Sequence, residues 1–304
     1  MPAPSPNQRA WQRFRQNPVA LGSSGFLLAL VALTVLWPWL SPYPPDAMGE
    51  TQFAAPSLQH WFGTDVHGRD LLARVFYGAR ISLLVGMVGA GVSLVIGMLW
   101  GAVAGYVGGR WDAVMMRTVD VLYALPSIIF VIVLMSTLNG VLDRLEAGTI
   151  SPEMSRLVQF VGLFGGLGAV SWLTMARVVR GQVLSLRARP FVEASLTLGA
   201  SHLHVLRRHI LPNVMGIVIV YLALTVPAVI LYESFLSYLG LGIQPPQASL
   251  GSLIAEGARH INPVRIYWWL VVFPAATLAL ALLALNFLAD GLREAMDPRA
   301  DQEG

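Results

Sequence analysis

Six stretches of this chain run for twenty residues or more without a charged side chain, and charges bracket each of them: Val19 to Leu40, Ile81 to Gly109, Val121 to Leu142, Leu157 to Ala176, Ile210 to Tyr232 and Ile266 to Ala289. About 20 apolar residues in a helix cross a bilayer core. One Arg or Asp at mid-bilayer costs roughly 2.5–3.5 kcal/mol on insertion scales, so clean bracketing is informative. Of the 304 residues, 55% are hydrophobic and 12% charged, where a soluble domain carries about 25% charge. The chain reads as an all-α integral membrane protein with six transmembrane helices. A signal peptide is the rival reading of the first run. No small-residue cleavage pattern follows Trp37-Pro38-Trp39-Leu40, so a retained span is preferred.

Six spans put both termini on one side. With the N-terminus inside, thirteen of the twenty basic residues fall in inner segments and seven in outer ones. The positive-inside rule therefore favours N-in and C-in. The polar connection from Ser41 to Ala79 is then external. After it, Leu71, Leu72, Val75 and Phe76 have helical spacing and read as a helix lying on the membrane surface.

The segment from Arg189 to Asn213, between spans 4 and 5, is then cytoplasmic. Pro190 suits the first turn of a helix, where its missing N–H costs nothing. Glu193 sits near the positive N-terminal end, and Gly199 can take the left-handed conformation that closes a helix. A short helix from about Phe191 to Leu198 should stop at Gly199, with Ser201 as N-cap of the next helix. Pro212 bends or restarts that helix before the fifth apolar run.

This segment resembles the cytoplasmic signature loop of ABC importer membrane subunits, which reads Glu-Ala-Ala, three residues, Gly, nine residues, then Ile-x-Leu-Pro. Glu193, Ala194, Gly199, Leu211 and Pro212 match in register. Ser195 replaces the third Ala, and His209 stands at the Ile position. The resemblance implies a coupling helix that docks on an ATPase subunit, with Phe191 and Leu198 as apolar contacts.

Other residue types narrow the chemistry. The chain has no cysteine, hence no disulfide framework and no thiolate metal site. It also has no lysine, which a Gly-Lys-Ser/Thr phosphate loop requires. ATP energy must therefore come from a partner, and no catalytic residue is assigned. The net charge of +3 is small and spread along the loops, so nucleic-acid binding is not indicated. His202, His204 and His209 cluster, but the first two point to different helix faces and no carboxylate completes a metal site. Gly97, Gly101 and Gly105 form a small-xxx-small ladder, as do Gly162 and Gly166. Such ladders let helices approach closely in lipid, within one chain or between subunits. Pro126, Pro227 and Pro274 lie inside spans and imply kinks that line a pathway or serve packing. Glu233 and Asp290 end spans and read as interfacial residues.

Further stretches are similar to the dipeptide and oligopeptide permease branch: Phe62-Gly63-Thr64-Asp65 with Gly68-Arg69-Asp70, Glu233-Ser234-Phe235-Leu236-Ser237-Tyr238-Leu239-Gly240-Leu241-Gly242 followed by Gln244-Pro245-Pro246, and Asp290 through Asp297-Pro298. Ala176-Arg177-Val178-Val179-Arg180-Gly181-Gln182 looks closest to the oligopeptide permease C-type subunits. The connection from Asn139 to Ser155 is longer than that family's pattern. The similarity implies residues 1–79 as tail, first span and external connection, 80–290 as permease core, and 291–304 as cytoplasmic tail. It also implies a bacterial inner-membrane importer for oligopeptides, embedded in membrane lipid. A related second permease subunit, two ATPase subunits that hold ATP and Mg, and an extracytoplasmic substrate-binding protein complete it, with no cofactor on this chain. Dipeptide, glutathione, nickel or other small-solute permeases share the pattern. An ion-driven secondary transporter is the reading from another class, and the six runs lack the mid-membrane ionisable groups it needs.

Overall fold

The computed structural model of the chain describes residues 6–146, 151–243, 247–261 and 265–296. Gln244-Pro245-Pro246, Asp297-Pro298, the rest of the tail and residues 147–150 of the long connection lie outside these. Among the described residues the chain is helical throughout, with no strand. The helices are α1 (Pro6–Gln16), α2 (Pro18–Leu40), α3 (Leu71–Val107), α4 (Gly109–Ala124), α5 (Ser127–Glu146), α6 (Pro152–Arg187), α7 (Pro190–Thr197), α8 (His202–Val205), α9 (Leu211–Tyr238), α10 (Leu250–Arg259) and α11 (Trp269–Ala295). Five of them, α2, α3, α6, α9 with the turns before it, and α11, are long and apolar enough to cross a membrane. The third apolar run makes a sixth span only if α4 and α5 are taken together.

That run is broken. Pro126 forces Leu125 out of the helical region to ψ 132°, as the residue before proline must go. α4 and α5 meet there at 81°. The external surface helix is also not separate. No proline interrupts residues 71–107, so the helix that starts at Leu71 continues as α3 for 37 residues. At about 1.5 Å per residue that is roughly 55 Å, well beyond a hydrocarbon core of about 30 Å. Its first turns are buried, Leu72 among them, and Leu71 and Val75 pack with α10 and α11.

α3 is the central helix, packed most extensively on α6 and next on α9. The glycines set the approach. A Cβ at Gly97 would lie 2.6 Å from Met175 Cβ, and one at Gly105 2.8 Å from the Arg180 carbonyl. Gly101 faces Ala176 and Val179 between them. On the other side Gly86 meets Ile230 and Gly89 meets Val229 of α9. Gly162 and Gly166 of α6 face Leu138 and Leu134 of α5. The ladders thus serve packing within the chain.

The two ends of the bundle differ. One gathers α1, the end of α3, α7, α8 and the last turn of α11: Asn17 Nδ2 donates to Glu294 Oε2 at 2.9 Å, and Gly216 lies against Met296. The other gathers the 41–70 connection and α10. There Asp65 is the hub. It accepts from the backbone N–H groups of His67 and Arg69, from Arg69 Nε at 2.7 Å and from Arg74 Nη1 at 2.6 Å. Both Arg side chains also reach Glu256 of α10 at 2.9 Å. Burial pushes the Asp65 carboxyl up; the Arg74 charge and the donated hydrogen bonds outweigh it and hold the group below the usual carboxylate range. Asp70 caps α3 by accepting from Ala73 N–H and meets His60 Nδ1 at 2.9 Å.

Glu233 does not face the surface of the bundle. It is fully buried and accepts from Ser237 Oγ at 2.6 Å and Ser82 Oγ at 3.1 Å. Ser82 in turn accepts from Leu250 N–H. The carboxylate therefore joins α3, α9 and the start of α10, because α9 runs five residues past it. Asp290 is exposed near the end of α11.

Candidate coupling site

α7 starts at Pro190, one residue earlier than the spacing predicted, and ends at Thr197. Arg189 before it is extended, with ψ 144°, as a residue before proline should be. Glu193 lies in the first turn. At the other end Gly199 has φ 87°, and Leu198 caps. Gly199 N–H donates to Leu196 O, and Ala200 N–H to Ser195 O. This pair of bonds is a Schellman closure, which satisfies two orphan carbonyls and reverses the chain. Ser201 then caps α8 by accepting from His204 N–H.

α8 does not run smoothly into α9. Residues Leu206–Ile210 form a π turn, closed by Leu211 N–H donating to Leu206 O. Pro212 has no N–H to continue the regular pattern, and Asn213 Nδ2 donates to His209 O at 2.6 Å instead. A π turn inside a helix often marks a functional segment.

The site has an anchored face and an open face. Val192, Val205, Ile210 and Val214 are buried with Val179 and Val183 of α6. Across from them Leu198 is 89% exposed, Leu203 60% and Phe191 41%. Glu193 and Ala194 are exposed too. Leu211 is half-buried in the apolar cluster and Pro212 is exposed in the first turn of α9. The structure thus brings Phe191, Glu193, Ala194, Leu198 and Gly199 onto one short unit, with Leu211 and Pro212 supporting it from α9. Beside it lies a cavity of about 620 Å³ lined by Tyr106, Arg187, Glu193, Leu196, His202 and Leu203. Tyr106 Oη and His202 Nδ1 share a hydrogen bond of 2.8 Å, and Arg187 Nη1 donates to Val107 O. Leu203 and the Tyr106–His202 pair were not singled out from the sequence. The one available signal was an apolar residue set between two histidines.

Among the described residues, no group of three or more His, Asp or Glu side chains is arranged to hold a metal ion. His202 is committed to Tyr106 and His209 to Ser195.

Spanning helices with irregular backbone confined mainly to the two ends define a polytopic helical membrane protein. Residues 97–302 match the family described as binding-protein-dependent transport system inner membrane component, and residues 5–59 match the N-terminal TM domain of oligopeptide transport permease C. The chain is 44% identical over 299 residues to the dipeptide transport system permease protein DppC of Bacillus subtilis, covering 98% of this chain and 87% of that one. It is 44% identical over 298 residues to the oligopeptide transport system permease protein OppC of Escherichia coli, covering 96% and 91%. The Haemophilus influenzae OppC is 43% identical over 295 residues, covering 96% and 88%. The fold is similar to a chain of the MetNI methionine ABC transporter, solved in inward-facing conformations, with TM-score 0.50 and 17% identity over 75% of this chain and 96% of that one. The chain belongs to the family of binding-protein-dependent transport system inner membrane components, as a permease of the peptide transport branch.

Proposed function

We propose that the chain is one of two membrane subunits of an ATP-driven importer for oligopeptides. A related second permease subunit completes the pathway, two ATPase subunits with ATP and Mg supply the energy, and a substrate-binding protein delivers the peptide. The observation that carries this is α7: anchored through Val192 and closed by Gly199, it leaves Leu198 and one side of Phe191 exposed, the other side of Phe191 resting on His209. Large apolar side chains held rigidly at a surface are what a partner's groove covers. The bundle end that carries α7 also holds α1 with its Arg residues, in keeping with a cytoplasmic placement of both termini. Closure of the ATPases would push on α7 and shift a two-state pathway.

A dipeptide permease is the second reading, favoured by 44% identity to a protein named for dipeptide transport. The test is reconstitution of the co-purified complex into proteoliposomes with its binding protein. ATP-dependent uptake of a labelled tetrapeptide supports the first reading, and uptake restricted to dipeptides the second. Uptake that persists without ATP and collapses with an uncoupler overturns both.

A further inference from the structure

A second cavity of about 250 Å³ opens where α4, α5, α6 and α9 meet, and its lining differs from the rest of the bundle surface. Tyr123 and Ser127 reach it from either side of the Pro126 break, Ser171 and Thr174 from α6, and Tyr221, Thr225 and Tyr232 from α9. Elsewhere many exposed positions of the long helices are aliphatic, such as Ile219 and Leu231 of α9 and Leu280 and Leu283 of α11. No charged residue lines the cavity.

The lining hydroxyls are placed at the wrong depth to face hydrocarbon. Thr225 lies at the middle of α9 and Ser171 near the middle of α6. A hydroxyl without a partner is costly in an apolar medium. Ser171 and Thr225 donate to helix carbonyls, Leu167 O at 3.0 Å and Tyr221 O at 2.7 Å. Tyr123 Oη and Thr174 Oγ1 share a bond of 3.1 Å, and Arg177 stacks on the Tyr123 ring at 4.2 Å while pairing with Asp120. The hydroxyls of Tyr221, Tyr232 and Ser127 make no hydrogen bond to any described residue. In an apolar medium they require water, a ligand or a neighbouring subunit, and the test below separates these.

We infer that this trough is the surface along which the substrate passes, and that it reads an extended peptide by its backbone. The inference rests on the peptide-importer reading above. Tyr221 and Tyr232 are eleven residues apart, or about 16 Å along α9. That matches about four to five residues of extended chain at 3.3–3.6 Å each. Neutral hydroxyls serve both the N–H and the C=O of any peptide, and the absence of charge makes the trough indifferent to side-chain charge. The Asp120–Arg177 pair stands beyond it, toward the α7 end.

The chain's lack of cysteine permits a direct test. In the assembled, reconstituted transporter, Ser171→Cys and Ser127→Cys should react with a membrane-impermeant thiol reagent, whereas Leu280→Cys should not. A transported tetrapeptide should slow the first two. Tyr221→Phe and Tyr232→Phe should reduce uptake of neutral, acidic and basic tetrapeptides to a similar extent, about 2- to 12-fold, the worth of one hydrogen bond. Thr225→Asp should instead split the series, slowing the acidic peptide more than the basic one. Cysteines at 127 and 171 as unreactive as at 280, or a Thr225→Asp transporter that keeps the wild-type ratio of acidic to basic uptake, overturn the inference. Wild-type uptake of peptides, measured alongside, tests the importer reading separately: if it fails while Ser171→Cys is labelled and protected by another solute, the trough stands and the substrate class falls.

Discussion

Ser195 Oγ and His209 Nε2 lie 3.2 Å apart and share a hydrogen bond. These are the two positions at which the 189–213 segment departs from the family's loop pattern, fourteen residues apart in the chain. The bond ties α7 to the π turn before α9, and Phe191 leans on the same imidazole with ring centroids 6.3 Å apart. A pair that departs together and touches is one structural unit.

The first prediction follows from that contact. Ser195→Ala removes a hydrogen-bond partner from a half-buried site and should cost about 0.5–1.5 kcal/mol. His209→Ile restores an apolar residue beside Phe191, and the double variant should be less destabilised than the two single changes added. The expected interaction energy is about 0.5–3 kcal/mol for residues in contact. Thermal unfolding of the four proteins in detergent completes the cycle. Simple additivity shows that the pair is not coupled.

The Asp65 cluster predicts acid sensitivity at the end of the bundle that holds the 41–70 connection. Its carboxyl is held below the ordinary range, so it contributes stability that is fully present above the unfolded pKa of about 3.9 and is lost as pH falls through the lower folded value. Neutral pH lies well above that window. Asp65→Asn should therefore destabilise at pH 7, by about 1–3 kcal/mol for donors left unmatched, since Glu256 remains to pair with both Arg69 and Arg74. Below about pH 4 the wild type should approach the variant. Limited proteolysis of the 41–70 connection across pH reads this out. A variant whose sensitivity matches wild type at pH 7 shows that Asp65 is not the hub.

The ladder on α3 separates packing from helix propensity. A Cβ at Gly101 would lie 2.9 Å from Val179 Cβ and 3.0 Å from Arg180 N, whereas nothing lies within 4 Å of one at Gly91. Gly101→Leu should force α3 and α6 apart at a cost of about 1–3 kcal/mol or more. Gly91→Leu should be tolerated. Equal melting temperatures for the two variants remove the ladder from the account.

The charge-bracketed runs made the helical membrane class and the helices α2, α6, α9 and α11 legible, because desolvation cost is a property of composition. Pro190, Gly199 and Ser201 made both ends of α7 and the start of α8 legible to within one residue, because caps are local. What composition could not give is where neighbours change the rule. Arg74 reads as a charge that should stand outside the bundle, yet Asp65 and Glu256 neutralise it at 6% exposure, so the connection flows into α3 without a break. Glu233 reads only as the end of a span, because Ser82, which bonds to it in the interior, lies 151 residues away in the chain. Pro126 reads as a kink within one span, while the backbone turns by 81° there and splits the run into two helices. The Ser195–His209 bond joins two residues that look like separate, minor departures.

The last prediction concerns the closure of α7. Gly199 sits at φ 87° with open space around it, so a side chain there meets no neighbour and acts through the backbone alone. Asn tolerates the left-handed region, but a β-branched residue is strained there by about 1–3 kcal/mol. Gly199→Val should open the Schellman closure and mis-aim Leu198, which is the most exposed apolar residue of the unit. Gly199→Asn should leave it in place. Glu193 stabilises the helix start by about 0.3–1 kcal/mol at its positive end, and it also lines the cavity with Arg187 and Leu203. Glu193→Lys reverses both effects. With membrane levels as control, Gly199→Val and Glu193→Lys are expected to insert normally, to lose co-purifying ATPase and to fall in ATP-dependent uptake. Gly199→Asn is expected to retain both. If the Val and Lys variants insert, hold the ATPases and transport at the wild-type rate, α7 is not the element that couples this permease to its energy source.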